Sequence, residues 1–239
     1  MIGGSRQIPL PLGLGKQVTL EDYYPGRNGA ALAAVRGLLQ ETAHCCVYLY
    51  GPAGVGKSHL LLGAAHHAPE WCPYLDGLDP EWITSMGDDP LAYSQWVEAP
   101  LLCVDHVDAW AGHPHAEMWL FRVYNARLRE RRPMLLAGRD ASTLIDWHLP
   151  DWASRMGACL SIPLCLQDDD EKIAILQEMS KRRGLRMDTE VALYLLRHQS
   201  RDLAALEQLL IVLDLRSWEE QRVLTIPFIR HCLETVRHE

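Results

Sequence analysis

Residues 51–58 read Gly-Pro-Ala-Gly-Val-Gly-Lys-Ser, the full G-x-x-x-x-G-K-S spacing of a phosphate-binding loop. The flanks dictate what such a loop must be built into. Before it runs Cys45-Cys46-Val47-Tyr48-Leu49-Tyr50, an apolar, β-prone segment that reads as a buried strand. After it runs His59-Leu60-Leu61-Leu62-Gly63-Ala64-Ala65, which opens a helix. Strand, glycine-rich turn and helix in that order converge backbone N–H groups and a helix dipole on one point. Pro52, Ala53, Gly54, Val55, Gly56, Lys57, Ser58 and His59 are therefore the candidate nucleotide-binding residues. In such a loop Lys57 reaches the β- and γ-phosphates and Ser58 ligates Mg²⁺, so the expected ligand is a nucleoside di- or triphosphate.

Strand-like and helical runs go on alternating downstream. The strand candidates are Cys45–Tyr50, Trp71–Leu75, Leu101–Val104, Met134–Ala137 and Cys159–Leu164. Helical patterns separate them, for example Met118–Arg131, with Trp119, Val123, Ala126 and Leu128 near one stripe. Such alternation implies an α/β fold, a parallel sheet sandwiched by helices. After Leu166 the strands stop. Asp168 to Glu171 place acids in a first helical turn that Gly184 closes, and Asp188 caps a second helix to about Arg197. Leu203, Leu206, Leu210 and Leu213 mark a third helix, and Thr225 caps a fourth with Pro227 in its first turn. Three parts are expected: an extended peptide over 1–16, an α/β nucleotide-binding domain over 17–166 and a small all-helical unit over 167–239.

Charge and composition exclude several partners. A net charge of −8 argues against sequence-specific DNA binding, which draws most of its affinity from basic residues on phosphates. The densest basic stretch, Arg127 to Arg132, ends a helical pattern before Pro133 and reads as helix C-terminal charge. No apolar run approaches the roughly 18 residues of a membrane span, and no signal-peptide pattern opens the chain, so a cytoplasmic protein is expected. Seven cysteines without a C-x-x-C pair favour neither a disulfide framework nor a zinc site. Cys103, inside a strand candidate, reads as a buried thiol, and the His113-Pro114-His115 pair lacks further ligands at coordinating spacing.

Further residues bear on chemistry. Leu101-Leu102-Cys103-Val104-Asp105 is an apolar strand ending in an acid, which can hold a water on the Mg²⁺ bound by Ser58. His106 follows it, with Asp108 two residues on. Ser154-Arg155, preceded by Leu149-Pro150-Asp151-Trp152-Ala153, puts an arginine just before the last strand. It is either an arginine finger for a neighbour's γ-phosphate or half of a surface ion pair. Arg201, in Ser200-Arg201-Asp202-Leu203, either folds back onto the phosphates or is a solvated helix-start residue.

Together, the phosphate loop, the strand ending in Asp105, Ser154-Arg155 before the last core strand and Arg201-Asp202-Leu203 in a helical lid resemble the AAA+ module of the replication initiator DnaA. The resemblance covers essentially the whole chain and is closer to the shorter Hda-type regulatory inactivators of DnaA. Three segments carry that narrower likeness. Gln7-Ile8-Pro9-Leu10-Pro11-Leu12 is similar to the family's sliding-clamp-binding peptide, Leu149 to Arg155 to its arginine-finger segment, and Leu224-Thr225-Ile226-Pro227-Phe228 to the start of its last helix.

That resemblance implies a central sheet with the phosphate-loop strand in the middle, a helical lid, Tyr24 and Pro25 against adenine, and Arg201 as a lid contact to the phosphates. Tyr23 and Tyr24 fit core packing as well. It further implies ADP (or ATP) with Mg²⁺ on Ser58 and Asp105, and Gln7, Ile8, Leu10, Pro11 and Leu12 as contacts to the DNA polymerase III sliding clamp. DnaA itself would be the target, with Arg155 acting in trans on its bound ATP, and a homodimer is compatible with such a chain. No helix-turn-helix DNA reader is expected before Glu239. The chain also departs from the family. Ala137-Gly138-Arg139-Asp140 stands where Gly-Asp-Arg is usual, so no first-sensor residue is assigned. His106 replaces the carboxylate that related ATPases use to orient water, so intrinsic hydrolysis is expected to be weak. The alternative is a stand-alone P-loop ATPase of helicase-loader or remodeller type, which would be expected to carry that carboxylate and a basic DNA-contacting surface. A small-molecule kinase fits poorly, because the helical unit offers no obvious acceptor site.

Overall fold

The computed structural model describes residues 18–40, 45–68, 70–80, 90–199 and 202–236. The peptide containing Gln7, Ile8, Leu10, Pro11 and Leu12 lies outside the described residues, as does Arg201. The strands are β1 (Cys46–Tyr50), β2 (Tyr74–Asp76), β3 (Leu102–Asp105), β4 (Met134–Gly138) and β5 (Leu160–Pro163). They form a five-stranded parallel sheet in the order β2-β3-β4-β1-β5. The phosphate-loop strand β1 is thus internal, between β4 and β5, and the middle place expected for it belongs to β4. β2 begins later than the apolar run of Trp71 to Leu75, because Trp71 is largely exposed and Tyr74 is the first residue to pair with β3.

Alternate side chains of each central strand enter two cores, as a sheet covered on both faces requires. Cys46, Tyr48, Leu102, Val104, Met134 and Leu136 pack on one side, with α4 (Pro114–Arg129) and α5 (Pro150–Ala158). Val47, Leu49, Cys103, Leu135 and Ala137 pack on the other, with α1 (Gly29–Leu39) and α2 (Lys57–His67). Cys103 is a buried free thiol, as its sequence setting implies.

Helix α4 differs from its sequence reading in an instructive way. Its buried stripe is Ala116, Glu117, Leu120, Val123, Tyr124, Ala126 and Arg127, whereas Leu128 faces solvent. The two charged members close the fold. Arg127, fully buried, donates to the carbonyls of Trp96 (2.6 Å) and Val97 (3.1 Å) in the last turn of α3 (Pro90–Glu98), and to Pro133 (2.7 Å). It spends its donors on orphan helix-end carbonyls, and burial pulls its pKa down to about 10. The basic stretch is therefore partly an internal clamp and not only helix C-terminal charge. Glu117, equally buried, accepts from the backbone N–H groups of Gly112 (2.8 Å), His148 (3.0 Å) and Leu149 (2.7 Å). Leu149 is the N-cap of α5, so this carboxylate joins the start of α4 to the start of α5.

The C-terminal unit is four helices, α6 (Asp169–Arg182), α7 (Thr189–His198), α8 (Leu203–Glu220) and α9 (Ile226–Val236). They share a separate core that includes Leu176, Leu195, Leu206, Leu210 and Ile229. Asp168 and Glu171 form a reciprocal capping box on α6, and the Asp202 side chain caps α8 by accepting from Ala205 N–H. Ion pairs tie the N-terminal segment to α6: Arg182 to Asp22 (2.6 Å), and Arg27 to Asp168 and Glu171.

Glu117→Gln is expected to lower stability by about 1.5–3 kcal/mol, because an amide nitrogen then faces N–H donors that a buried carboxylate satisfied. Glu130→Gln, which breaks only the exposed pair with Arg132, should cost less than about 1 kcal/mol. Urea unfolding of the two variants checks the contrast.

Candidate phosphate-binding cleft

All five strands run the same way, so their C-terminal ends meet at one edge of the sheet. There β1 runs into the loop that ends at α2. Gly54 and Gly56 hold φ of +79° and +95°, a region costly for side-chain-bearing residues. At Gly56 a Cβ would also lie 2.8 Å from the Tyr23 ring, so the loop has room there for glycine alone. Gly56 is the N-cap of α2 and makes no side-chain cap, which leaves the first N–H groups of the helix to a ligand. Lys57, with 8% of its surface exposed, donates from Nζ to the Gly51 (2.6 Å) and Pro52 (2.8 Å) carbonyls. Burial lowers its pKa, while Asp105 and Asp108 act in the opposite sense.

A cleft of about 290 Å³ opens above the loop. Ala53, Gly54, Gly56, Lys57, Ser58 and His59 form its floor. Tyr23 and Tyr24 line it from the N-terminal side, and Ile175, Met179, Asp202 and Leu203 from the helical unit. Tyr24, which the resemblance sets against adenine, is thus among the residues lining the cleft. Pro25 does not line the cleft and is solvent-exposed, and Pro52 is likewise exposed and outside the lining. Val55 sends its side chain into the core beneath, leaving only its backbone for the loop. His59 has its Nε2 at 3.2 Å from the Thr19 carbonyl, and burial lowers its pKa, so it braces the N-terminal segment as a neutral ring.

Asp105, at the end of β3, is fully buried. Its carboxylate accepts from the Tyr74 hydroxyl (2.9 Å) and from the His106 N–H (2.9 Å). Each oxygen keeps a lone pair, and Ser58 lines the cleft, so the two supply hard oxygen donors of the kind Mg²⁺ takes. The donor set fits, with Asp105 set back from the cleft surface. His106 lines the cleft in a left-handed backbone conformation (φ 48°). Its Nδ1 lies 2.9 Å from Asp76 Oδ1. Asp108 accepts from the Arg139 N–H (3.1 Å), joining the ends of β3 and β4.

Arg155 sits apart from all of this. It is half-buried on α5, its guanidinium carbon 6.0 Å from the centre of the Phe121 ring. Among the described residues it makes no ion pair. Nor does it line the cleft of its own chain. Sequence reasoning missed Gln167, Asp22, Ile175 and Glu207 as cleft residues. Only Gln167 carried a usable signal, its place directly after the last strand candidate.

The comparisons with known proteins agree with this architecture. The family model described as Hda, lid domain, matches residues 169–233. Domain III of the replication initiation protein DnaA from Thermotoga maritima is similar in fold, with a TM-score of 0.75 and 18% identity over 93% of this chain and 98% of that one. AMPPCP-bound DnaA from Aquifex aeolicus gives a TM-score of 0.73 and 22% identity over 86% of this chain and 68% of that one. RuvB from Thermotoga maritima gives 0.62 and 16%, over 91% and 72%. A five-stranded parallel sheet with a phosphate loop at its edge thus gives the chain a fold similar to that of these DnaA and RuvB structures, and its residues 169–233 match the Hda lid model.

Proposed function

We propose that this protein is a nucleotide-sensing negative regulator of DNA replication initiation. In its ADP-bound form it links the DNA-loaded sliding clamp to DnaA, stimulates hydrolysis of DnaA-bound ATP in trans and so prevents re-initiation. The observation that carries this reading is Arg155: a guanidinium on an outer helix, without a carboxylate partner among the described residues and away from its own cleft, in a chain whose lid matches the Hda model. A cation so placed suits a neighbour's γ-phosphate, where it stabilises charge that develops only in the transition state. Phe121 beneath it limits its rotamers, so less freedom is lost on engagement.

Within the chain's own cleft, the loop amides and Lys57 hold the β-phosphate, and Ser58 and Asp105 hold Mg²⁺, the latter through water. When bound, the ion neutralises phosphate charge. The clamp contact is assigned to Gln7, Ile8, Leu10, Pro11 and Leu12, a segment whose prolines reduce the entropy lost on docking. The protein works in the cytoplasm, in line with there being no helix among the described residues long and apolar enough to cross a membrane. The domains divide at residues 16 and 166.

Lys57→Ala is expected to abolish tight ADP binding, read by calorimetry; unchanged affinity would remove the phosphate-loop assignment. Intrinsic ATP turnover should stay below about 1 per second, the low end of ordinary enzymes, because His106 offers one acceptor where a carboxylate offers two oxygens. Faster turnover by the purified protein would favour a remodelling ATPase instead. The deciding experiment measures hydrolysis of DnaA-bound ATP with clamp and DNA. Wild type should accelerate it by roughly 10³–10⁵, the scale of an arginine supplied in trans. Arg155→Ala should bind ADP and clamp normally yet give no acceleration, and Arg155→Lys should rescue poorly, lacking the planar fork. Removing residues 1–12 should eliminate clamp association and leave ADP affinity intact. Full stimulation by Arg155→Ala would overturn the mechanism.

A further inference from the structure

Two residues that line the cleft each carry a buried polar atom with no hydrogen-bond partner: the Tyr23 hydroxyl and Gln167 Oε1. The residues expose 7% and 8% of their surface. An unpaired buried acceptor or donor costs about 1–3 kcal/mol, and folded proteins keep few of them. The other two such atoms among the described residues, on Arg127 and Trp152, belong to residues that do not line the cleft. Two on the lining residues of one cleft, beside a phosphate-binding loop, point to a ligand that supplies their partners.

The orientation of the Gln167 amide identifies what that ligand must offer. Gln167 Nε2 donates to the Val55 carbonyl at 3.5 Å. Turning the amide over would set two oxygens against each other, so Oε1 is the atom left over, and it can only accept. The loop backbone itself thereby fixes the amide. Gln167 also lies between the end of β5 and the start of α6, at the junction of the two units that wall the cleft.

We infer that Gln167 reads the base of the bound nucleotide, its Oε1 accepting a hydrogen bond from an exocyclic amino group and so selecting a 6-aminopurine over a 6-oxopurine. This rests on the ADP-binding reading above and adds the residue that selects the base. With the phosphates anchored at Lys57 and Ser58, a 6-oxopurine would bring its own carbonyl oxygen to Oε1, acceptor against acceptor in a site screened from water. Sites built to hydrogen-bond one group discriminate strongly against a ligand that lacks it. The Tyr23 hydroxyl, free to donate, suits a ring nitrogen or ribose oxygen of the same ligand.

The test is calorimetry on the full chain with Mg²⁺ and three probes: ADP, inosine diphosphate and purine riboside diphosphate, which has hydrogen in place of the 6-amino group. Wild type should bind ADP about tenfold or more tightly than either of the others, the worth of one buried hydrogen bond. Gln167→Leu should bring the three within about threefold by weakening ADP alone. Equal binding of ADP and inosine diphosphate by wild type overturns the inference, whatever the variants do. So does a folded Gln167→Leu protein that keeps the tenfold preference. Binding of none of the three overturns the nucleotide reading itself, a result distinct from nucleotide binding without base selection.

Discussion

The structure depends on the parallel sheet and its need to be covered on both faces. Parallel strands demand crossover helices, and those helices bury the alternating side chains of β1, β3 and β4 in two separate cores. The same parallelism gathers every strand's C-terminal end at one edge, where α/β sheets place their ligands. At that edge lie the phosphate loop after β1, Asp105 and His106 after β3, Arg139 after β4 and Gln167 after β5. Residues over a hundred positions apart in sequence become neighbours because the sheet allows no other place for strand ends.

Two buried charges on α4 then decide where the outer helices sit. Neither Arg127 nor Glu117 has a side-chain counter-ion among its hydrogen bonds; both bond backbone groups at helix ends and turns, although Arg127 Nε is left without a partner. A buried charge held this way tolerates little displacement, since each lost bond leaves a desolvated partner. The N-terminus of α5 is therefore fixed by Glu117, and α5 carries Arg155 with Trp152 and Met156 locked into the core. Under the proposed function, rigidity at the base of that helix would serve Arg155, because misplacement of a charge-stabilising donor forfeits most of its effect.

Much of this was legible in the sequence. The phosphate loop announced itself through glycine spacing, the sheet through strand–helix alternation, and the lid helices through Asp168 and Asp188 before the first two, the leucine stripe of the third and Thr225 before the fourth. What was not legible has physical causes. Glu117 and Arg127 look like surface charges because pattern reading counts polarity, while their burial follows from backbone partners supplied by distant turns. Leu128 looks like a core residue for the converse reason, its place on the helix being one residue past the buried stripe. The order of strands was beyond periodicity altogether, which reports a face but never a neighbour. Gln167 escaped because a glutamine gains meaning only when its partner, the Val55 carbonyl, and its orphaned oxygen are both seen.

The link between the lid and the remainder of the chain follows from the same accounting of partners. Asn28, almost fully buried, both donates to the Cys165 carbonyl (2.9 Å) and accepts from the Cys165 N–H (2.8 Å), imitating a strand pairing with the segment that leads into α6. The pair of Arg27 with Asp168 is half exposed and that of Arg182 with Asp22 partly so, and exposed pairs contribute about 0–1 kcal/mol each. The buried amide therefore holds the N-terminal segment against the entry to the lid, with the ion pairs adding to it. Tyr23 and Tyr24, a few residues before Asn28, are brought to the cleft by that anchor, and Gln167, two residues after Cys165, is brought to it from the other side. One reciprocal pair of hydrogen bonds thus positions both of the cleft's orphaned polar atoms, and the nucleotide that satisfies them would fasten the lid through the same two segments.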